Sequence, residues 1–387
     1  MDLCNENNCC GCGLCVNVCP KQAITLKENK DGFIYPVIDK NKCINCSLCK
    51  KSCAFQTECN LKEPIMCLAA QNRNTEDERR SASGGIFYAL GKAFIEKGGW
   101  VCGSVLDTKG RRAYIHHIVS NNLNDLRRMQ GSKYVQSDIS AVFTNIQELI
   151  NGNNKVLFCG TPCQNAALRK KFGYSENLFL IDIICHGVPS LKMFNDFIDL
   201  KLSKSAELKD YIFRDKTYGK GFVSRKSVTN NGKVKKIYKP AHLESYYHLF
   251  LKSHTYRSNC YECPFAQGKR VSDITIGDYW GIEKYYSMEN DSINLKRACS
   301  CILINTDFGK KMFYEYGKDI NNIDAKLQEI RKSNVQLNCP SKKSIDREKI
   351  LEEYRNNGYK SVEKYYRKKI GRLKYWILSI RYILLKY

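Results

Sequence analysis

A chain of 387 residues, 43% of them hydrophobic, is long enough for one large domain or two ordinary ones and has the composition of a globular protein. Its 21 cysteines are odd in number and concentrated in the first 70 residues, which excludes the evenly stapled scaffold of a small secreted protein. The formal charge of +24 favours acidic partners, whether an acidic electron carrier, an anionic lipid surface or a phosphorylated substrate. No nucleic-acid module accompanies that charge, so nucleic acid is not an expected partner.

The start MDLCNENNCC lacks the basic flank and apolar stretch of an export signal, so a reducing cytoplasm is expected, with thiolates serving metal. Residues 1–60 form a first, Cys-rich segment. Cys9, Cys12, Cys15 and Cys19-Pro20 are spaced Cys-x-x-Cys-x-x-Cys-x-x-x-Cys-Pro, and Cys43, Cys46, Cys49 and Cys53 repeat the spacing with Ala54 after the last. This is the pattern of bacterial two-cluster ferredoxins, in which the fourth cysteine of each run serves the other 4Fe-4S cluster. One cluster is then expected on Cys9, Cys12, Cys15 and Cys53, the second on Cys43, Cys46, Cys49 and Cys19. Paired zinc knuckles are the bland alternative, disfavoured by two runs of identical spacing. Cys4, Cys10 and Cys59 fall outside the pattern and read as incidental thiols.

From 64 to 310 the pattern is that of an α/β domain. Apolar runs Ile65 to Ala70, Trp100 to Leu106, Lys155 to Cys159 and Leu178 to Ile184 predict strands, and the periodicity predicts helices over 84–97, 138–151 and 189–202. Tyr211 to Arg214 and Gly221 to Thr229 continue through Asn230-Asn231-Gly232 into Lys233 to Lys239, a predicted hairpin on or beside the main sheet. Ser81-Ala82-Ser83-Gly84-Gly85 opens a helix with small residues and free amides, which suits a phosphate. Gly160-Thr161-Pro162-Cys163-Gln164 and Cys185-His186-Gly187-Val188-Pro189-Ser190 each follow a strand, where an open α/β sheet makes its ligand crevice. Each such string taken alone is more often an ordinary helix cap. His116-His117 sits on a strand pattern, where neighbours point to opposite faces; it is assigned no role.

The third segment, 311–387, is charged and helical in pattern. Residues 364–387 hold eight Lys/Arg and no acid. The apolar stretch Tyr375 to Leu385, interrupted by Arg381, is too short to span a bilayer. It reads either as a surface helix packed on its own domain or as a basic amphipathic helix in peripheral contact with the inner membrane face.

The ordered strings SxSGG, Gly131-Ser132-Lys133-Tyr134-Val135-Gln136-Ser137, GTPCQ, CHGVPS, Cys260-x-x-Cys263-Pro264-Phe265 and Ser272-Asp273-Ile274-Thr275-Ile276-Gly277-Asp278-Tyr279-Trp280-Gly281 together resemble the coenzyme F-420 hydrogenase/dehydrogenase beta-subunit family, with a fused ferredoxin domain. The resemblance runs from about residue 64 to 310. It implies FAD exchanging electrons with iron-sulfur clusters and hydride with a deazaflavin or another organic substrate, and for bacterial members a link to surface-polysaccharide genes. Carried onto this chain, it implies that Ser83, Gly84 and Gly85 cradle the FAD phosphate and that Lys133, Tyr134 and Gln136 line the flavin. Thr161, Gln164 and His186 are further candidates at the strand ends, and Arg270 and Asp278 are candidates to hold substrate or flavin. Cys163, Cys185, Cys260 and Cys263, all inside these motifs, are candidate ligands of a third 4Fe-4S cluster. The alternatives are small apolar residues or, for Cys260 and Cys263, a thiol pair.

The expected architecture is therefore mixed α/β: a small bacterial-type ferredoxin domain, a flavin-binding α/β domain and a helical basic tail. The expected function is an iron-sulfur flavin oxidoreductase with a small-molecule redox substrate and a protein electron partner, such as ferredoxin or a hydrogenase/dehydrogenase subunit. An electron-relay subunit without its own substrate and a structural iron-sulfur or zinc module are the competing readings. No Gly-x-Gly-x-x-Gly follows a strand, which argues against a conventional dinucleotide fold.

Overall fold

The computed structural model describes residues 3–219, 221–286, 292–371 and 375. Strands β1 (Ile24–Glu28) and β2 (Ile34–Ile38) form an antiparallel hairpin within the Cys-rich segment. The remaining strands are β3 (Met66–Asn72), β4 (Trp100–Lys109), β5 (Arg112–Ser120), β6 (Val156–Gly160), β7 (Leu178–Ile183), β8 (Ala206–Asp215), β9 (Phe222–Thr229), β10 (Val234–Pro240), β11 (Ile274–Asp278), β12 (Ser300–Ile304) and β13 (Ile320–Asp324). Eight of them form one sheet in the order β13-β3-β12-β11-β7-β6-β4-β5. Its centre, β11-β7-β6-β4, is parallel; the pairs outside it are antiparallel.

The central strands read as unbroken apolar runs because helices cover both of their faces. Val156, Phe158, Leu178 and Leu180 point to the side packed by helices Val142–Asn151 and Pro162–Phe172. The alternate residues Leu157, Phe179 and Ile181 point to the side packed by helices Ile86–Glu96 and Asp307–Tyr316. Each of these fully buried side chains contributes roughly 1.5–3 kcal/mol. Leu14 of the Cys-rich segment inserts into the first of these cores, so that segment docks partly through apolar packing.

The hairpin signal at Asn230-Asn231-Gly232 corresponds to the β9–β10 turn. With β8 these strands make a separate three-stranded sheet, packed by helices Leu191–Lys201, Ser245–Leu251 and Arg347–Ile370. Beyond residue 310, edge strand β13 pairs with β3, and helix Arg347–Ile370 buries Ile350, Leu351 and Tyr354 in the core under the three-stranded sheet. The continuity was invisible in sequence because charged residues alternate with apolar ones through this stretch. The apolar stretch from Tyr375 to Leu385 lies outside the described residues except for Tyr375. Among the described residues no helix is long and apolar enough to cross a membrane.

Candidate iron-sulfur and cofactor site

In the two N-terminal runs the backbone repeats itself. Gly11 and Gly13 have φ of 68° and 77°, and the equivalent Asn45 and Ser47 have 55° and 61°. Left-handed residues at these alternate positions turn successive N–H groups into one concavity, which favours anions. The first run uses glycine because it faces the larger domain. A Cβ on Gly11 would stand 2.5 Å from Gln136 Nε2, and one on Gly13 3.0 Å from Ser140 Cβ.

Cys19, Cys43, Cys46 and Cys49 line one small hollow with Ile24, Ile38, Ile44 and Leu48. This brings together the run's first three cysteines and the last cysteine of the other run. The other four also converge: burial raises the Cys15 thiol, and repulsion from Cys12, Cys9 and Cys53 adds to it. Backbone N–H groups reach the sulfurs, Gly11 N at 3.4 Å from Cys9 Sγ and Ala23 N at 3.3 Å from Cys19 Sγ. Such donors favour the thiolate, the form that binds metal. Among the described residues no three His, Cys, Asp or Glu side chains could hold a single metal ion. Four thiols around a hollow, with amides aimed at sulfur, suit the larger cubane.

Cys163, Cys185, Cys260 and Cys263 are brought together at the carboxyl ends of β6 and β7 and in the loop before β11, all lining one cavity. Burial raises Cys185, Cys260 and Cys263, and the proximity of Cys163 raises each further. Backbone N–H groups of Gln164, Gly187, Val188 and Phe265 point at the four sulfurs. These donors fit an anionic thiolate-held group. Cys10, read from sequence as incidental, lines the same cavity as Cys12 and Cys163, whose proximity raises its thiol together with burial. It therefore joins the first N-terminal set to this internal one.

Arg257, missed by the sequence reading, clamps the same junction. It is fully buried and donates to Cys9 O at 2.6 Å, Ile34 O at 2.7 Å and Gln136 Oε1 at 3.1 Å. Its guanidinium lies 4.0 Å from the Tyr35 ring centre. No carboxylate pairs with it among its described contacts.

The cavity measures about 310 Å³, at the lower end of the range for small-molecule sites. Gly103 and Ser104 of β4, Cys159 to Gln164 at the end of β6 and beyond, Ile183 to Val188 at the end of β7 and beyond, and Ile276 to Asp278 of β11 line it, so it opens at the carboxyl ends of the parallel strands. The segment Ser81 to Ser83 and Gly85 line its far side, where helix Ile86–Glu96 begins without a capping side chain. Its first-turn N–H groups are thus available to a phosphate, which fits FAD.

Side-chain partners change several expected roles. Gly84 does not line the cavity; its N–H donates to Ser300 Oγ, and a Cβ there would meet Ala70 O at 2.6 Å. Ser83 Oγ donates to Cys299 O. Lys133 contributes its stem, but its ammonium caps a helix end by donating to the carbonyls of Arg128, Met129 and Gln130. Burial lowers that ammonium to about 7, while the three acceptors favour its charge. Gln136 bridges Cys10 O and Arg257, so it ties the two domains together. Gln164 closes a capping box with Thr161, whose hydroxyl touches Cys163 Sγ at 3.1 Å.

Arg270 is saturated by Asp182, Thr275 Oγ1 and the carbonyls of Phe265 and Gln267, so it pins the Cys260–Cys263 loop to the sheet and has no donor for a substrate. Asp278 is held at 2.6 and 3.0 Å by Arg214, with Trp280 stacked near that guanidinium. Tyr134 stacks on Phe250 at 4.3 Å in the cavity wall. His186 faces Asp278, and burial lowers its imidazole.

His117, assigned no role from sequence, lines the cavity. Its Nε2–H donates to Cys159 O at 3.1 Å and its Nδ1 accepts from Ser137 Oγ at 2.8 Å. The signal that could have found it is the alternation of β5, which sends His116 outward to Asp107 and His117 inward.

Three convergent thiol sets beside a lined cavity define an iron-sulfur redox protein. Residues 153–322 match the family described as coenzyme F420 hydrogenase/dehydrogenase, in the C terminus of its beta subunits, and residues 8–57 match a 4Fe-4S dicluster domain. Together these matches support a likeness to the coenzyme F420 hydrogenase/dehydrogenase beta-subunit family, joined to a 4Fe-4S dicluster domain. It is 23% identical over 322 residues to one of the subunits of the F(420)H(2) dehydrogenase of Methanosarcina mazei, covering 74% of this chain and 84% of that relative. Among solved structures it is similar to a chain of the F420-reducing NiFe hydrogenase complex of Methanosarcina barkeri, at 18% identity and a TM-score of 0.41. That likeness covers 81% of this chain and 96% of the other.

Proposed function

We propose that this iron-sulfur redox protein is a flavin oxidoreductase, in which electrons pass between the N-terminal thiolate sets, a third 4Fe-4S group on Cys163, Cys185, Cys260 and Cys263, and FAD in the cavity. The observation that carries the reading is Cys10, which lines the cavity beside both Cys12 and Cys163, so that the first N-terminal set adjoins the internal one. When bound, the 4Fe-4S groups would pass single electrons and FAD would convert between single electrons and a hydride. The chain's residues bind and exclude. The uncapped first turn of helix Ile86–Glu96 supplies donors for the phosphates, and Tyr134 with Phe250 keeps water from one wall. His117 holds its proton on Nε2 and stays neutral, so it adds no charge beside the cofactor.

The natural substrate class is an organic hydride acceptor or donor such as a deazaflavin, reached through the mouth where Trp280 and Ile183 are partly exposed. The protein partner would be a one-electron carrier or a hydrogenase/dehydrogenase subunit, in a reducing compartment that keeps the exposed Cys46 from oxidising. Anaerobic purification followed by iron and flavin analysis tests the reading. About twelve iron atoms and one released FAD per chain are expected for three 4Fe-4S groups. About eight iron atoms would remove the third group, and absence of flavin would leave an electron relay. Dye reduction driven by reduced deazaflavin with the purified chain alone separates the enzyme from the relay.

A further inference from the structure

The two N-terminal thiolate sets differ in their access to solvent. In the first, Cys9 is 8% exposed and its carbonyl is covered by Arg257. In the second, Cys46 is exposed, and Ile44 and Leu48, which line the same hollow, are 57% and 43% exposed. Large apolar side chains left in water directly over a redox site form the tip of a contact patch.

The stretch of chain that carries that patch is basic. Lys21 lines the hollow itself, and residues 40–51 hold Lys40, Lys42, Lys50 and Lys51 without a single acid. Lys42 lies 4.0 Å from Asp39, and Asp39 is the only acid immediately beside the stretch. Segment 1–60 as a whole is nearly balanced, so this is a local concentration of charge in the stretch that carries the exposed Cys46.

We infer that the Ile44–Cys46–Leu48 face is the docking surface for a small acidic one-electron carrier protein, and that electrons cross there to or from Cys43, Cys46, Cys49 and Cys19. The inference rests on the iron-sulfur reading of the chain. One electron moves per encounter: the reduced carrier is oxidised, the group held by this thiolate set is reduced, and no proton or bond is exchanged. An apolar tip flanked along the chain by lysines suits such a partner, because the charges steer encounter while the small apolar contact lets the carrier leave again.

The test uses a reduced acidic two-cluster ferredoxin as probe and stopped-flow reduction of the full-length anaerobic chain. Iron content and the cluster spectrum are read first; if they are absent, the iron-sulfur reading itself fails, which is distinct from failure of the docking surface. The triple variant Lys40→Glu, Lys50→Glu, Lys51→Glu is expected to lower the second-order rate at low salt by on the order of tenfold or more and to flatten its salt dependence. Reduction by photoreduced deazaflavin, a neutral donor, should stay unchanged. Lys233→Glu with Lys235→Glu, on the distant β9–β10 hairpin, is the control and should leave the ferredoxin rate within about twofold. If charge reversal lowers the iron content, the neutral set Lys40→Gln, Lys50→Gln, Lys51→Gln takes its place, with the same direction expected. Equal rates for wild type and the variants at Lys40, Lys50 and Lys51, or an equal loss in the hairpin control, would overturn the proposal.

Discussion

At the residue scale, two buried cationic or ionisable side chains carry consequences that can be measured. Burial lowers the His117 imidazole to about 3, opposed mainly by the Cys159 carbonyl that accepts from it. An unfolded histidine titrates near 6.5, so between about 6.5 and about 3 the unfolded chain binds the extra proton. Stability from this site is constant above that window and falls as pH drops through it, by about 5 kcal/mol at most. NMR of labelled histidine should therefore show His117 neutral at pH 5 as the Nε2–H tautomer. A protonated ring at that pH would contradict its hydrogen bonds. Arg257→Met removes three hydrogen bonds and leaves buried acceptors at Cys9, Ile34 and Gln136, a loss of about 2–4 kcal/mol at the domain junction. Hydrogen exchange should then quicken in the hairpin β1–β2, with Arg257→Lys recovering only part of the protection because lysine cannot present a fork.

At the element scale, the two cysteine runs share one backbone but stand in different surroundings. Gly13→Ala combines a left-handed backbone with a Cβ 3.0 Å from Ser140, so it should speed iron loss to a chelator and loosen the docking of segment 1–60. Ser47→Gly relieves the same backbone strain at the exposed run, and should hold iron at least as well, gaining about 1 kcal/mol. Measured chelation half-lives of the two variants decide this, and equal half-lives would mean that the turn geometry is unimportant. The turn after β6 was legible as a helix start from Thr161-Pro162, and it is one. That its capping box also sets Thr161 against Cys163 depends on the β6–β7 register, which no local string states.

At the scale of the whole molecule, stability is unevenly distributed. The eight-stranded sheet buries continuous apolar strands on both faces, whereas segment 1–60 buries only Leu3, Cys9, Leu14, Ala23, Ile24, Phe33 and Ala54 among its described apolar side chains. So small a core needs metal to hold it. Removing iron with a chelator is expected to abolish amide protection in segment 1–60 while the strands β6, β7 and β12 stay protected. Simultaneous loss of protection in both would show that the sheet depends on metal too. The ion pair Arg355–Asp31 at 2.6 Å, which reaches from the last described helix to the Cys-rich segment, gives the docked state a further long-range contact.

The sequence by itself determined what depends on neighbours in the chain. Cys-x-x-Cys-x-x-Cys spacing defines which thiols can face one concavity, and apolar runs with Gly, Pro and Asn punctuation locate strands, helix starts and the β9–β10 turn. Only the tertiary structure decided what depends on partners far apart in sequence. Cys163 and Cys185 meet Cys260 and Cys263 because β6, β7 and β11 are adjacent in the sheet, and Cys10 ceases to be incidental only when the two domains dock. Lys133, Gln136, Arg270 and Asp278 look in sequence like free polar groups beside a cofactor. In the fold these groups are engaged by a helix end, a domain junction, the Cys260–Cys263 loop and Arg214. A string of residues reveals which donors and acceptors exist, and the packed chain alone reveals which remain unspent.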